Sequence, residues 1–271
     1  MPEWPEMEHY RKQLSGLIVG NTIQGTEVTR AKSINVDPAQ FEAELVGRAV
    51  WFIERRGKML IFHLDNGKRL LLHLMLGGLI HFGPEDEPVE RSVQVSIRFQ
   101  KGTLRFIGLR LGYLHLLSQK ETENQLRDLG PDPLDKRLTL ERFKERFKGK
   151  RGAIKTALVD QHVLAGIGNC YADEIAFAAE VRPDVKIPEL EPNTWERLYA
   201  SMHEMLQDAL AHGGYMEMPI TAEDTVTGGY NHHCRVYDRG GEPCVRCGGT
   251  IVQAEISSRK MFFCPSCQKD R

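Results

Sequence analysis

No stretch of this chain reaches the roughly 18 consecutive apolar residues that a membrane-spanning helix needs, although 41% of its 271 residues are hydrophobic. The opening MPEWPEMEHYRKQL is too polar for a secretory signal peptide, which is built around an apolar segment. A cytoplasmic protein with no membrane association is expected. Net charge is nearly absent too: 36 basic residues face 37 acidic ones, giving −1, so the global balance names no partner. Internal repeats and low-complexity tracts are missing. Cysteine is sparse, at six residues, and a chain of this length buries a core without disulfides.

The charge is segregated rather than scarce. Between Lys136 and Lys155, nine Lys/Arg face two acids, whereas between Tyr171 and Thr225 three basic residues face twelve acids. Such segregation suits one face for a polyanion, although a basic run also serves as a solvated helix face.

Four of the six cysteines stand as Cys244-x2-Cys247 and Cys264-x2-Cys267. Two short knuckles presenting four thiolates are what a tetrahedral structural zinc site requires. Two disulfides are the competing reading, disfavoured in a cytosolic setting, and no thioredoxin-like βαβ pattern supports a redox CxxC. Gly248, Gly249 and Pro265 suit the knuckles, and β-type residues at 250–252 and 261–263 complete a zinc-ribbon hairpin. Cys170 and Cys234 read as ordinary thiols.

A short helix is expected over residues 5–15, with Pro5 in its first turn and Glu6 and Glu8 near the positive end of its dipole. From about 21 to 117 the pattern is β. Asn66-Gly67 separates two apolar runs, a hairpin signal, and Val93, Val95, Ile97 and Phe99 alternate before Lys101-Gly102 turns the chain into 103–107. Seven or eight antiparallel strands in a sandwich or barrel follow. Gly130-Pro131-Asp132-Pro133 reads as a linker. Helical periods come next: Phe143 with Phe147, a segment at Ala157 and Leu158, one from about Cys170 to Ala179, and one starting at Asn193 or Thr194, with Asn193 and Glu196 as a capping pair, and ending at Gly213-Gly214. Residues 215–230 read as a long mobile loop of the kind that carries function. The expected fold is α+β and multidomain. An N-terminal helix plus antiparallel β-sandwich occupies 1–130, a helical domain with this loop 131–234, and the zinc hairpin 235–271.

Met1-Pro2-Glu3 offers chemistry if the initiator methionine is removed. A secondary amine near its neutral form, beside carboxylates, is what Schiff-base attack on a sugar aldehyde needs. Leu164-Ala-Gly-Ile-Gly-Asn169 offers a second feature. Gly166 and Gly168 permit close backbone approach, and a helix N-terminus presents amide donors to a phosphate. Asn169, Lys150, Arg151 and Lys155 are positioned in sequence to share that phosphate run.

These segments together resemble the formamidopyrimidine-DNA glycosylase and endonuclease VIII family across essentially the whole chain. MPEWPEME is similar to the family opening MPELPEVE, and Glu54-Arg-Arg-Gly-Lys58 to its R-R-x-K turn. Gly166-Ile-Gly-Asn-Cys-Tyr-Ala-Asp-Glu174 is similar to the helix-two-turn-helix signature. Gly241-Glu-Pro-Cys-x-x-Cys247 and Ser258-Arg259-x-x-Phe-x-Cys264 are similar to the zinc finger. The resemblance implies a bifunctional DNA glycosylase/AP lyase of base excision repair. Its N-terminal proline attacks C1′ of a damaged nucleotide extruded from the duplex, and β- and δ-elimination follow. It implies Pro2 as nucleophile, Glu3 as acid/base, Glu6 as a positioning group, and Lys58, Asn169 and Arg259 on the lesion-flanking phosphates. Lys150 and Lys155 would be secondary phosphate contacts. One structural zinc, damaged double-stranded DNA as partner and a monomer are implied as well.

Two places depart from the family pattern. In His73-Leu-Met-Leu-Gly-Gly78, Leu76 replaces the Met that fills the vacated base space. In Ile107-Gly-Leu-Arg-Leu-Gly112, anchoring on Gly112 puts Leu109 and Leu111 at the family's Arg and aromatic wedge positions, whereas a one-residue shift puts Arg110 at the Arg position. Tyr215, Met216 and Met218 stand where 8-oxoguanine enzymes of the family carry small hydroxyl residues. That favours an oxidised pyrimidine, a ring-opened purine or a bulkier lesion over 8-oxoguanine opposite cytosine. The leucine wedge motivates the alternative of a non-catalytic damaged-DNA-binding relative. A metal-dependent hydrolase on His232-His233-Cys234 is a more distant reading, because no carboxylate lies at useful spacing and adjacent His side chains diverge.

Overall fold

The structure, a computed structural model, describes residues 1–269. The chain divides into two compact units, one formed by residues 1–2, 6–127 and 216–229 and the other by residues 3–5, 128–215 and the described residues from 230 on.

In the first unit, helix α1 (Trp4–Ile18) buries Met7, Tyr10, Leu14 and Ile18, each at most 2% exposed. Their spacing of three to four makes one apolar stripe. That stripe joins the core of an antiparallel sandwich. One sheet has the order β1 (Gly25–Val28), β6 (Val93–Phe99), β7 (Gly102–Ile107), β5 (Leu79–Gly83). The other runs β2 (Val50–Arg56), β3 (Met59–Leu64), β4 (Arg69–His73), β8 (Tyr113–Leu117). Alternation sets what each face buries. Leu60, Phe62, Leu70, Leu72, Leu114 and Leu116 enter the main core, while Ile61, Leu71 and Leu117 form a second cluster on the opposite face, joined by Leu126.

Leu126 belongs to α3 (Gln119–Leu126), a helix that periodicity does not reveal because only Thr122 in it is buried. A capping box announces it instead: the Ser118 hydroxyl accepts from Glu121 N while Glu121 accepts from Ser118 N. Helix α2 (Pro38–Leu45) was also unforeseen. Asp37 caps it by accepting from Ala39 N at 2.9 Å, Pro38 occupies its first turn, and Phe41 and Leu45 bury one face.

The second unit carries α4 (Leu140–Arg146), α5 (Ile154–Leu158), α6 (Asn169–Ala178), α7 (Pro192–Ala211) and the hairpin β9 (Val252–Ile256) with β10 (Arg259–Phe263). Every α6 residue from Cys170 to Phe177 is buried, Asp173 and Glu174 included. Helix α7 starts one or two residues earlier than expected. Pro192, whose fixed φ and missing N–H suit a first helical position, opens it after Glu191, with no side-chain cap bond; Asn193 and Glu196 form no capping pair.

The segment expected as a mobile loop has no strand or α-helix, and in the first unit it is pinned down. Ile220 is fully buried, its carbonyl accepts from Phe82 N at 2.7 Å, and the Met218 carbonyl accepts from the Tyr10 hydroxyl at 3.0 Å.

Candidate catalytic and nucleic-acid site

The N-terminal segment explains the Gly-x-Gly motif. Gly166 sits at φ +116°, and a Cβ there would come within 2.9 Å of the Trp4 side chain. The Gly166 carbonyl accepts from Trp4 N at 2.9 Å, and Trp4 Nε1 donates to Asp132 at 2.6 Å. Glycine is needed because the chain's own start lies against it. Three amides at the start of α6 are likewise taken: the Glu3 carboxylate accepts from Gly168 N (2.6 Å), Cys170 N (3.0 Å) and Tyr171 N (3.4 Å). The anion on this helix N-terminus is therefore Glu3, which corrects the expectation that these amides hold a phosphate. A carboxylate is the natural occupant, since the helix dipole and unpaired N–H groups favour negative charge there. Asn169, the first residue of α6, is half-buried. Its Oδ1 is buried without a hydrogen-bond partner.

In the first unit, Pro2 is buried and Glu6 fully so. Lys58 closes the two-residue turn between Arg56 and Met59, with Gly57 at φ +57°. Lys58 is only 8% exposed, and its ammonium acts on His73 of β4. Burial and then the Lys58 charge push the His73 imidazole down to about 4, so it is neutral at physiological pH. Leu76 and Leu111 are 65% and 62% exposed and, with Arg91 and Arg110, line a cavity. Leu109 does not join them. It is fully buried in the sandwich core, its N–H donating to Gln94 Oε1 (2.9 Å) and its carbonyl accepting from Ser33 Oγ (3.2 Å). Anchoring on Gly112 thus fails for Leu109, and Arg110 is the exposed residue of the pair.

Among the basic residues of the second unit, Lys155 is corrected. It is 1% exposed, and its Nζ lies 2.8 Å from the Asp173 carboxylate and 2.5 Å from the Lys260 carbonyl. Asp173 also accepts from Phe262 N at 3.1 Å. This buried pair ties α5 and α6 to β10 and is no surface phosphate contact: an ammonium sheltered from solvent must spend its charge on an internal partner. Burial pushes Lys155 down and Asp173 up to about 7, against the pull of their mutual attraction. Lys150 stays at the surface, 2.8 Å from Asp160, and with Lys144, Lys148, Arg151 and Trp195 lines an open groove. Arg259 opens β10 directly after a turn with Ser257 and Ser258 at positive φ, and is exposed at the hairpin tip.

Glu174 received no role from the sequence. Fully buried, it accepts from Arg235 N (2.9 Å), Val236 N (2.8 Å) and Tyr237 N (2.8 Å), fixing the chain that leads into the zinc hairpin. Burial raises its pKa against the pull of these amides. Two adjacent acids inside an otherwise apolar helix were the signal, because Asp and Glu are almost never fully buried unless paired.

The four hairpin cysteines fit zinc. Their Sγ atoms all lie within 4.8 Å of one another. The pairs Cys244–Cys267 (3.8 Å) and Cys247–Cys264 (3.5 Å) approach the edge of a tetrahedron with about 2.3 Å bonds, roughly 3.8 Å. The amides of Arg246 and Gly249 donate to Cys244 Sγ and Cys247 Sγ at 3.4 Å, which neutralises thiolate charge. Cys170 and Cys234 are buried, 4.0 Å apart and outside this set.

A β-sandwich, a helical unit and a four-cysteine hairpin follow one another along the chain, and comparison with known proteins identifies this as a DNA-repair glycosylase architecture. Residues 1–113 match the formamidopyrimidine-DNA glycosylase N-terminal domain, 129–218 the formamidopyrimidine-DNA glycosylase H2TH domain, and 241–269 the zinc finger found in FPG and IleRS. The chain is 35% identical over 275 residues to a formamidopyrimidine-DNA glycosylase of Bacillus licheniformis, covering 99% of this chain and 100% of that one. It is 36% identical over 274 residues to that of Listeria monocytogenes, at the same coverage. Lactococcus lactis Fpg bound to abasic-site DNA superposes with TM-score 0.91 at 31% identity, covering 98% of this chain and 99% of that one. Its complex with DNA containing an oxidised pyrimidine has TM-score 0.91 and 31% identity, at 99% and 100% coverage. The chain belongs to the formamidopyrimidine-DNA glycosylase family.

Proposed function

We propose that this protein is a DNA glycosylase of base excision repair with AP lyase activity, acting as a monomer on damaged double-stranded DNA in the cytoplasm and nucleoid, with one structural zinc ion held by Cys244, Cys247, Cys264 and Cys267. The observation that carries the reading is the seating of Glu3. Its carboxylate is fixed by the Gly168 amide and two amides of α6, so the residue that immediately follows Pro2 is held in place, as the acid/base neighbour of a nucleophile must be.

After loss of Met1, the Pro2 nitrogen attacks C1′, and the base leaves with the bonding pair and takes up a proton. The Glu3 carboxylate takes up the proton that the Pro2 nitrogen sheds on attack and returns it to the sugar ring oxygen as the ring opens, leaving an iminium on the Pro2 nitrogen. Loss of a C2′ proton then drives β-elimination with cleavage of the C3′–O bond, δ-elimination cleaves at C5′, and water releases the enzyme. Glu6 positions the amine. Lys58, Asn169 and Arg259 hold the flanking phosphates and stabilise the departing one, with Lys150 contributing at longer range. Lys155 acts indirectly, by holding the strand that begins with Arg259. Leu76 and Leu111 fill the vacated stack by apolar insertion, and Arg110 faces the estranged base. Residues 215–230 cover the extruded base, and Tyr215, Met216 and Met218 favour an oxidised pyrimidine or a ring-opened purine.

Duplexes carrying one such lesion test this. Base release with strand nicking, undiminished by brief EDTA treatment, is the expected result. Tight binding without release on every lesion would identify a non-catalytic relative instead.

A further inference from the structure

We propose that Asp208, His212 and His233 form a second metal site, for a divalent first-row transition ion such as zinc, at the C-terminal end of α7. Asp208 and His212 are four residues apart on one helix and therefore share a face. His233 arrives from a separate element, the short 3-10 turn Gly229–His233. One ligand atom from each of the three lies within 4.8 Å of the others. His212 Nδ1 is 2.9 Å from the Asp208 carbonyl oxygen and 3.2 Å from Asp208 Oδ1, which orients the imidazole on the face of α7 that carries Asp208, in the way a ligating His is held through its other nitrogen.

The backbone fixes this meeting independently of the side chains. Tyr230 N donates to the carbonyls of His212 (3.2 Å) and Gly214 (3.0 Å), and Cys234 N donates to Tyr230 O at 3.2 Å. Aromatic packing adds to it. The buried Tyr230 ring stacks on His233 at 13°, and the two imidazoles lie 4.1 Å apart between centroids. Two imidazoles with one carboxylate suit zinc, nickel, copper or ferrous iron, whereas calcium and magnesium prefer oxygen alone. Asp208 and His212 are half-buried and His233 is exposed, so water completes the coordination.

The sequence pattern hid this site. His232-His233-Cys234 has no carboxylate at chelating spacing, and the fold supplies one from α7, to His233 alone. The ligands bracket residues 213–232, so a bound ion clips together the two ends of the segment that the proposed function places over the base; the site itself does not rest on that reading.

The test is metal titration of the untagged protein, with zinc already in its finger, using Zn2+ and then Co2+. The expected result is one equivalent beyond the finger's. Its Co2+ spectrum would show weak ligand-field bands without the thiolate charge transfer that a four-thiolate site gives. In His233→Ala and His212→Gln the affinity of that equivalent falls at least about 100-fold, the upper end of what losing even an outer-shell partner costs. Finger occupancy and unfolding temperature in chelator stay at wild-type values. Absence of the extra equivalent, its persistence at unchanged affinity in both variants, or a thiolate spectrum for it would each overturn the proposal.

Discussion

Replacing Glu174 by alanine strands three backbone N–H groups that the carboxylate now holds. Val236 is fully buried, and Arg235 and Tyr237 are partly so. The three donors lie 2.8–2.9 Å from the carboxylate oxygens. Each stranded buried donor costs about 1–3 kcal/mol, and relieving a desolvated carboxylate returns part of that, for a net loss of about 3–5 kcal/mol. Glu174→Gln is the informative partner. Its Oε1 keeps bonds from all three N–H groups, and only the second bond from Arg235 N, to Oε2, is replaced by an amide nitrogen facing it, so the loss is about 1 kcal/mol. Urea denaturation followed by circular dichroism measures both, and zinc content measured on the folded proteins reports whether the hairpin still forms. A loss under about 1 kcal/mol for the alanine variant, or equal losses for the two, would refute the assignment of Glu174 as the acceptor that anchors the hairpin's entry.

Three further outcomes are expected. Gly166→Ala, at φ +116° and 2.9 Å from Trp4, costs about 2 kcal/mol or more and lowers the melting temperature by about 4–8 °C, read by thermal unfolding. Stripping the hairpin with a strong chelator, or Cys264→Ser, disorders β9 and β10, because a structural zinc site supplies on the order of 10 kcal/mol. Duplex binding in a gel-shift assay is then lost while the strands of the first unit persist. Burial alone would raise the Asp224 carboxyl, but hydrogen bonds from Thr227, Gln13 and the Thr227 and Val226 amides outweigh it and hold it at about 2, against an ordinary 3.8. The resulting stabilisation, about 1–2 kcal/mol after solvent screening, is complete above pH 3.8 and disappears as pH falls toward 2. Chemical denaturation of wild type and Asp224→Asn across this range should show their difference shrink in acid.

The sequence made visible what local chemistry encodes. The start of α1 is plain from Pro5 and the acids of its first turn, the β3–β4 hairpin from Asn66-Gly67, and the zinc ligands from two CxxC pairs, since each depends on neighbours within a few residues. Helix α3 was missed because a surface helix with one buried residue leaves no apolar period, and its Ser118/Glu121 capping box was the local sign of it. Lys155 was misread because a lysine in a basic run looks the same whether it faces solvent or Asp173, and only tertiary structure decides. The Gly-x-Gly turn was recognised as a close backbone approach, but its occupant was the chain's own Glu3 and Trp4. Nothing within ten residues of Gly166 could have named residues more than 150 positions away.

The central claim is that the N-terminal proline performs the chemistry. Borohydride trapping on duplex DNA with a single abasic site tests it most directly, with Pro2→Gly as control and mass determination of the N-terminus. The account predicts a covalent protein–DNA adduct that maps to Pro2. No adduct, from protein that has lost Met1 and binds the same duplex, would contradict it.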